Sequence, residues 1–284
     1  GVRWLDLTGG EVTARRDVTQ IIATIRHRLP DLALLHFPTA GWDLDATVRA
    51  AEGMRWPGGP RLIISVSVDG PPAVHDRLRG QPGAWDRAVA SWLALRARGF
   101  EAYPGLTLQP GNVDAVDETV AALQEVESGF SHDALHINLA QVSPHYFGNA
   151  SVDRLTPAGA ARALAQFQAR KGPPRGVVEL IERAYQRRLP TFLRTDRSPV
   201  ACRSGEISAY VAPDGEVFAC TIDPRPIGHL RDHNFDFDRL WHTQQREQLS
   251  ERVAEGDCAG CWTPCEAYQT LLTSPRSMIG GAVT

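Results

Sequence analysis

No apolar run in this sequence approaches the ~18 residues that a membrane helix needs, and Gly1 to Gly10 lacks the basic and apolar blocks of a secretory signal. No membrane association is expected, and the cytoplasm is the expected compartment. An excess of positive charge is also missing. Lys and Arg total 30 against 33 Asp and Glu, for a formal net charge of -3, and the basic residues are scattered and almost all arginine. A nucleic-acid partner is therefore not expected. Hydrophobic residues make up 43% of the chain, which excludes disorder, and the 25 Gly and 20 Pro follow no collagen-like period. The chain does not begin with Met, and its first residues already read as a strand, so the natural N-terminus is expected to precede Gly1. No cysteine precedes Cys202; all five, Cys202, Cys220, Cys258, Cys261 and Cys265, fall in the last third. Thiols confined in this way, in a cytosolic chain, point to metal binding rather than disulfides.

What is present is an alternation of short β-rich runs with helical periodicity. Trp4 to Thr8 reads as a strand, and Val18, Ile21, Ile22 and Ile25 then fall at i, i+3, i+4 and i+7 of a helix. The runs Leu32 to Phe37, Arg61 to Val68, Ala102 to Leu108 and Ala134 to Leu139 follow, each with a helical stretch after it. The fourth helix is expected to be capped by Asn112, and the fifth to begin at Thr156-Pro157. Strands so spaced pair in parallel through right-handed crossovers, giving a β/α barrel or a doubly wound sheet. In either, the loops after the strands line the site. His136 and Asn138 share one strand face and are candidate pocket residues. Beyond Cys202 the pattern changes. Ile207 to Val211 and Glu216 to Ala219, joined by Pro213-Asp214-Gly215, read as a hairpin, followed by one helix over about Asp238 to Val253. The boundary is expected near residue 195, giving domains 1–195 and 196–284.

A hairpin followed by a tight turn is a way to converge distant thiolates. Cys202 precedes the hairpin, Cys220 ends it, and Cys258-Ala259-Gly260-Cys261 places two sulfurs in one turn. Four soft ligands suit zinc or an iron-sulfur cluster, and spacing alone leaves the two open. Thr263-Pro264-Cys265-Glu266 reads as a capping box, which puts Cys265 in the first turn of the last helix as a possible replacement for Cys261.

These residues resemble a known family. Thr8-Gly9-Gly10-Glu11 resembles the GGE motif of radical S-adenosylmethionine (SAM) enzymes. Ser65-Val66-Ser67-Val68-Asp69-Gly70, followed by His75-Asp76-Arg77-Leu78-Arg79-Gly80, resembles their fourth-strand region. Cys202, twelve residues, Gly215, four residues and Cys220, then a CxxC, resemble the C-terminal SPASM module in its shorter Twitch form. The resemblance implies an α/β chain: a partial (β/α)6 radical SAM barrel missing its first βα unit, with a small C-terminal hairpin and helix domain for an auxiliary cluster. The CxxxCxxC motif that holds the family's catalytic 4Fe-4S cluster is absent from this sequence and is expected only in the full-length protein.

Carried over by motif, Gly9, Gly10 and Glu11 are expected at the SAM amino group, and Ser65, Ser67 and Asp69 at its ribose. Cys202, Cys220, Cys258 and Cys261, with Cys265 as the substitute, are expected to hold one auxiliary 4Fe-4S cluster. The implied activity is formation of a 5′-deoxyadenosyl radical that abstracts hydrogen from a peptide or small metabolite, with a reducing partner such as flavodoxin or ferredoxin. The competing expectation is a non-catalytic β/α binding module with a four-cysteine zinc site; a weaker third one is a peptide-recognising partner protein.

Overall fold

The computed structural model describes residues 1–149, 153 and 155–274. By internal contacts the chain forms two compact units. The first is Gly1–Asn138 with Ala169–Lys171, and the second begins at Leu139.

The first unit alternates β1 (Trp4–Asp6), α1 (Val18–Arg28), β2 (Leu34–Thr39), α2 (Leu44–Gly53) and β3 (Arg61–Ser67). It continues with α3 (Pro72–Arg79), α4 (Ala84–Ala97), β4 (Glu101–Leu108), α5 (Val116–Val126) and β5 (His136–Leu139). The strands form one sheet in the order β1-β2-β3-β4-β5, a parallel half-barrel of five strands. Sequential order is what right-handed βα crossovers of this spacing produce. β1 pairs only with β2 and is an edge of the sheet among the described residues.

The two faces of the sheet differ because side chains alternate along a strand. Leu35, Phe37, Ile64, Val66, Leu106 and Leu108 are fully buried, on the face against which α4 packs. Trp92 and Leu95 of α4 complete this core, and the Trp92 indole donates to the carbonyl of Ala102 at 3.2 Å. The intervening residues, His36, Ser65, Ser67, Tyr103, Thr107, His136 and Asn138, are half-buried and mostly polar. They lie on the opposite face.

The second unit contains α6 (Pro157–Ala169), α7 (Val177–Gln186), α8 (Leu189–Thr195), β6 (Tyr210–Val211), β7 (Glu216–Phe218) and β8 (Pro226–His229). After these come α9 (Phe237–Trp241), α10 (Gln244–Ala254) and α11 (Pro264–Thr273). β7 lies between β6 and β8 in an antiparallel sheet. Val217, Ala219, Ile227, Leu240, Leu249 and Val253 make its core, with Cys202 and Cys258 packed against it.

Several local expectations are corrected. The first hairpin strand spans only Tyr210–Val211, because the Ser204 region bridges to Ser208 instead, and β8 is an unanticipated third strand. The helix expected over Asp238 to Val253 is two helices. Thr243 has extended backbone between them and its side chain accepts from Arg246 N, so it caps a new helix. Asn112 is not a helix cap: α5 begins at Val116 with Ala115 before it. Its amide instead donates to the carbonyls of Asp69 and Thr107, at 2.9 and 3.0 Å, tying the end of β3 to β4.

Gly41, at φ +66, follows β2 where α4 comes closest. An added Cβ would lie 2.9 Å from Ala88 Cα, and the Gly41 carbonyl accepts from Ser91 Oγ at 2.8 Å. Gly41→Ala is therefore expected to destabilise the first unit by about 1–3 kcal/mol, read as a lower urea midpoint with an unchanged slope.

Candidate cofactor sites in the two units

In the half-barrel, the loop after β1 carries Gly9 and Gly10, both exposed. Gly9 adopts φ +113, and neither glycine has an atom within 4 Å of an added Cβ. Glu11 follows, and its carboxylate is held by four donors. Oε1 accepts from Thr13 N at 3.3 Å and from the hydroxyls of Thr13 and Thr39 at 2.9 Å each; Oε2 accepts from Ala40 N at 2.8 Å. The acid thus ties the loop after β1 to the end of β2, with its negative charge beside the open glycine backbone.

Ser65, Ser67 and Asp69 are placed differently from one another. Asp69 is 4% exposed: its Oδ2 pairs with Arg79 at 2.6 Å and its Oδ1 accepts from Thr107 N at 3.0 Å. Its own N–H donates to Nδ1 of His75 at 3.0 Å. That ring is buried, and burial lowers its pKa, so it stays neutral with Nδ1 as acceptor. Ser67 is in the β3–β4 ladder through its backbone, but its side chain makes no hydrogen bond among the described residues and the residue is half-buried on the polar face. Ser65 Oγ lies 3.0 Å from Nε2 of His36, whose Nδ1 lies 3.0 Å from Asp6 Oδ1. Sequence reasoning missed Asp6 and His36 and the roles of Arg79 and Asn112, because contacts between separate elements leave no local signal.

Further along the same face, His136 stacks on Tyr103 with ring centroids 3.7 Å apart. Burial, then the charges of Lys171 and His36, lower its pKa to about 3. The Asn138 side-chain oxygen is buried with no hydrogen-bond partner among the described residues. An orphaned acceptor of this kind is what a bound donor would satisfy.

In the second unit the cysteines are neighbours. The Cys202, Cys258 and Cys261 thiols act on one another electrostatically, as do Cys220 and Cys261; Cys265 and Cys261 both act on the buried Tyr185. All five are free thiols, Cys220 buried and the others half-buried. The Cys220 sulfur accepts from the backbone N–H of Ile222 at 3.4 Å and of Asp223 at 3.2 Å, an arrangement that favours sulfur carrying negative charge. Burial pushes the thiols of Cys202, Cys220 and Cys261 up, and nearby Glu266 adds to this in each case. No three His, Cys, Asp or Glu side chains among the described residues close on a single point as the ligands of one metal ion. The donor type is still that of a thiolate-bound group, although the described side chains do not converge on one point.

Glu266 is the residue the motif reading misplaced. α11 begins at Pro264 as expected, but the Thr263 side chain makes no capping hydrogen bond, and its buried oxygen has no partner. Glu266 instead accepts from Ser208 Oγ at 2.6 Å. The expected capping box is not formed, because the carboxylate turns to the neighbouring loop.

Comparisons with known proteins bear on both units. Residues 202–262 match the SPASM iron-sulfur cluster-binding domain. The AdoMet-dependent heme synthase of Methanosarcina barkeri (strain Fusaro / DSM 804) is 25% identical over 273 residues, covering 90% of this chain and 74% of that protein. Native anSMEcpe with bound AdoMet superposes with a TM-score of 0.61 at 13% identity, over 98% of this chain and 82% of that one. The same protein with AdoMet and the Kp18Cys peptide gives 0.59 at 13% identity, over 98% and 83%. The chain thus carries a SPASM-matching stretch at its C-terminal end and shares its fold with AdoMet-binding proteins. AdoMet is bound in its structural relatives, and in one of them a peptide is bound as well. Among the described residues, no helix is long and apolar enough to cross a membrane.

Two outcomes follow. An unfolded histidine takes up a proton near pH ~6.5, whereas folded His136 resists until about pH 3. The unfolded chain thus binds more protons between those values, and the stability due to neutral His136 is complete above pH 6.5 and lost as pH falls toward 3. The difference in denaturation midpoint between wild type and His136→Gln should therefore change between pH 7 and pH 4.5, with wild type losing more. Gly260, at φ +73 inside the CxxC turn, would place a Cβ 2.4 Å from the carbonyl oxygen of Asp196. Gly260→Ala should lower the stability of the second unit by about 1–3 kcal/mol in thermal or urea unfolding.

Proposed function

We propose that this chain is the SAM-binding and auxiliary-cluster portion of an enzyme that removes hydrogen from a peptide or small metabolite. What supports the reading is the SPASM match over the stretch that holds Cys202, Cys220, Cys258 and Cys261, with two amide donors on the Cys220 sulfur. These four cysteines would hold one 4Fe-4S cluster, with Cys265 near enough in sequence and space to replace Cys261. A cluster with four thiolates has no open iron, which favours an electron-transfer or structural role over direct substrate binding.

In the half-barrel, the exposed backbone of Gly9 and Gly10 and the charge of Glu11 would receive the ammonium of SAM. Ser67 has an uncommitted hydroxyl for the ribose, while Asp69, locked to Arg79 and Thr107 N, would shape the ribose pocket through the backbone it fixes. The orphaned Asn138 oxygen suits a donor such as the adenine amino group. When SAM and a reduced catalytic cluster are bound, they supply the 5′-deoxyadenosyl radical that abstracts the substrate hydrogen. The CxxxCxxC ligands of that catalytic cluster are not among these 284 residues. The chain's own residues therefore bind and orient SAM and substrate, and an external flavodoxin or ferredoxin would supply electrons.

Anaerobic reconstitution of this chain with iron and sulfide should give a brown protein with about four irons per chain, and Cys220→Ala should lose most of that iron and colour. A colourless preparation carrying one zinc per chain would overturn the iron-sulfur reading in favour of a structural zinc clip.

A further inference from the structure

On the polar face of the half-barrel, three strands place Asp6, His36 and Ser65 in one line. β1 and β2 pair Asp6 directly with His36, and β2 and β3 pair Pro38 with Ser65, so His36 reaches Ser65 diagonally. Both contacts are 3.0 Å. The Trp4 indole N–H also donates to Asp6 Oδ1, at 2.9 Å.

Hydrogen-bond inventory fixes the direction of this chain. An indole N–H only donates, so Asp6 Oδ1 is an acceptor. His36 Nδ1, on the same oxygen, must then carry a proton and donate; a ring with that one proton leaves Nε2 as an acceptor facing Ser65. Ser65 accordingly donates its hydroxyl proton to His36. Its lone pairs can accept a hydrogen bond from a bound molecule, but it has no second proton to offer. The Asp6 and His36 side chains are 24% and 21% exposed, so the line is supported by packing yet reachable from the open face.

From this geometry we infer that Ser65, His36 and Asp6 form a proton-accepting relay for a protic group of the bound substrate: an alcohol, a thiol or an ammonium. In the step, the substrate X–H bond breaks and X keeps the electron pair. The proton forms a new bond to Ser65 Oγ, while the original Ser65 proton passes to Nε2 of His36. The product is an imidazolium whose Nδ1–H remains on the Asp6 carboxylate, and the reverse step returns the proton. No electron is transferred. Asp6 is the positioning residue, as it holds the tautomer and stabilises the charged ring. The inference rests on the proposed reading only in placing substrate on this face, and it reassigns Ser65 from the ribose to the substrate. Of the titratable groups near this line, His136 on β5, kept neutral, interacts with His36, and Lys171 interacts with His136.

The relay can be tested without iron, SAM or the natural substrate, so its failure is separable from failure of the cluster assignment. The probe is 4-nitrophenyl acetate. Ser65 Oγ attacks the ester carbonyl, its proton passes to His36, 4-nitrophenolate leaves with the bond's electron pair, and Ser65 is acetylated. The expected result is a burst of nitrophenolate with acetyl mapped to Ser65 by mass spectrometry. The burst rate should fall at least about tenfold in His36→Gln and by less in Asp6→Asn. Histidine nitrogen NMR of the wild-type chain should show His36 as the Nδ1–H tautomer, a readout that needs no variant to fold. Absence of acetyl at Ser65, a burst unchanged in a folded His36→Gln, or an Nε2–H tautomer for His36 would each overturn the proposal.

Discussion

The constraint on which the first unit rests is that a sheet covered by helices on one side must be apolar there and there only. Leu35 and Phe37 on β2, Ile64 and Val66 on β3, and Leu106 and Leu108 on β4 are excluded from water together. Removing such side chains from water is worth roughly 1.5–3 kcal/mol each. Because side chains alternate along a strand, that requirement also decides what the other face can be. A one-residue slip of any strand would put its apolar set on the open side and its polar set in the core. The register that buries Phe37 is the one that places His36 beside Asp6 and near Ser65. The polar surface is thus the geometric complement of the core.

Ends of the strands are fixed by a different kind of contact. Beyond the ladder, backbone groups still need partners, and short polar side chains supply them. Glu11 accepts Ala40 N, Asp69 accepts Thr107 N, and Asn112 donates to the carbonyls of Asp69 and Thr107. Each joins the end of one strand to its neighbour, so the rim holds its shape before any ligand arrives. Carboxylates engaged in this way contribute mainly by fixing backbone. The Ser67 hydroxyl and the Asn138 oxygen, without hydrogen bonds among the described residues, have capacity left for a ligand.

The order of elements could be read from the chain because it depends on local periodicity and spacing. All five barrel strands appear where apolar alternation places them, within a few residues, and the glycine turn Pro213-Asp214-Gly215 closes a hairpin as its composition implies. What could not be read depends on partners distant in sequence. Asp6 and His36 are separated by a whole βα unit, and His36 and Ser65 by another, so no local pattern marks them as a line. Ser208 draws Glu266 away from the cap that its own tetrapeptide suggests. Thr243 interrupted a continuous helical pattern because its side chain offers the backbone a cap, a choice that propensity summed over a window conceals.

The cysteine neighbourhood links the folding of the second unit to its chemistry. Burial disfavours a thiolate at Cys202, Cys220 and Cys261, and Glu266 and the neighbouring thiols oppose it further. Against this stand the two N–H groups at Cys220 and the Ser204 hydroxyl beside Cys202, which are too few to hold several negative sulfurs together. Without a cation these groups therefore stay protonated. Iron bound there would reverse the balance, since a coordinated thiol is deprotonated outright and the ion's charge outweighs that of the carboxylate. Assembly on these thiols would release protons, so metal loading would weaken as pH falls and the free energy of binding would add to that of the fold. The small core of Val217, Ile227, Leu240 and Val253 packs directly against Cys202 and Cys258. The same contacts that stabilise the sheet therefore hold these two sulfur positions, and drawing the sulfurs together on iron would tighten the sheet in return.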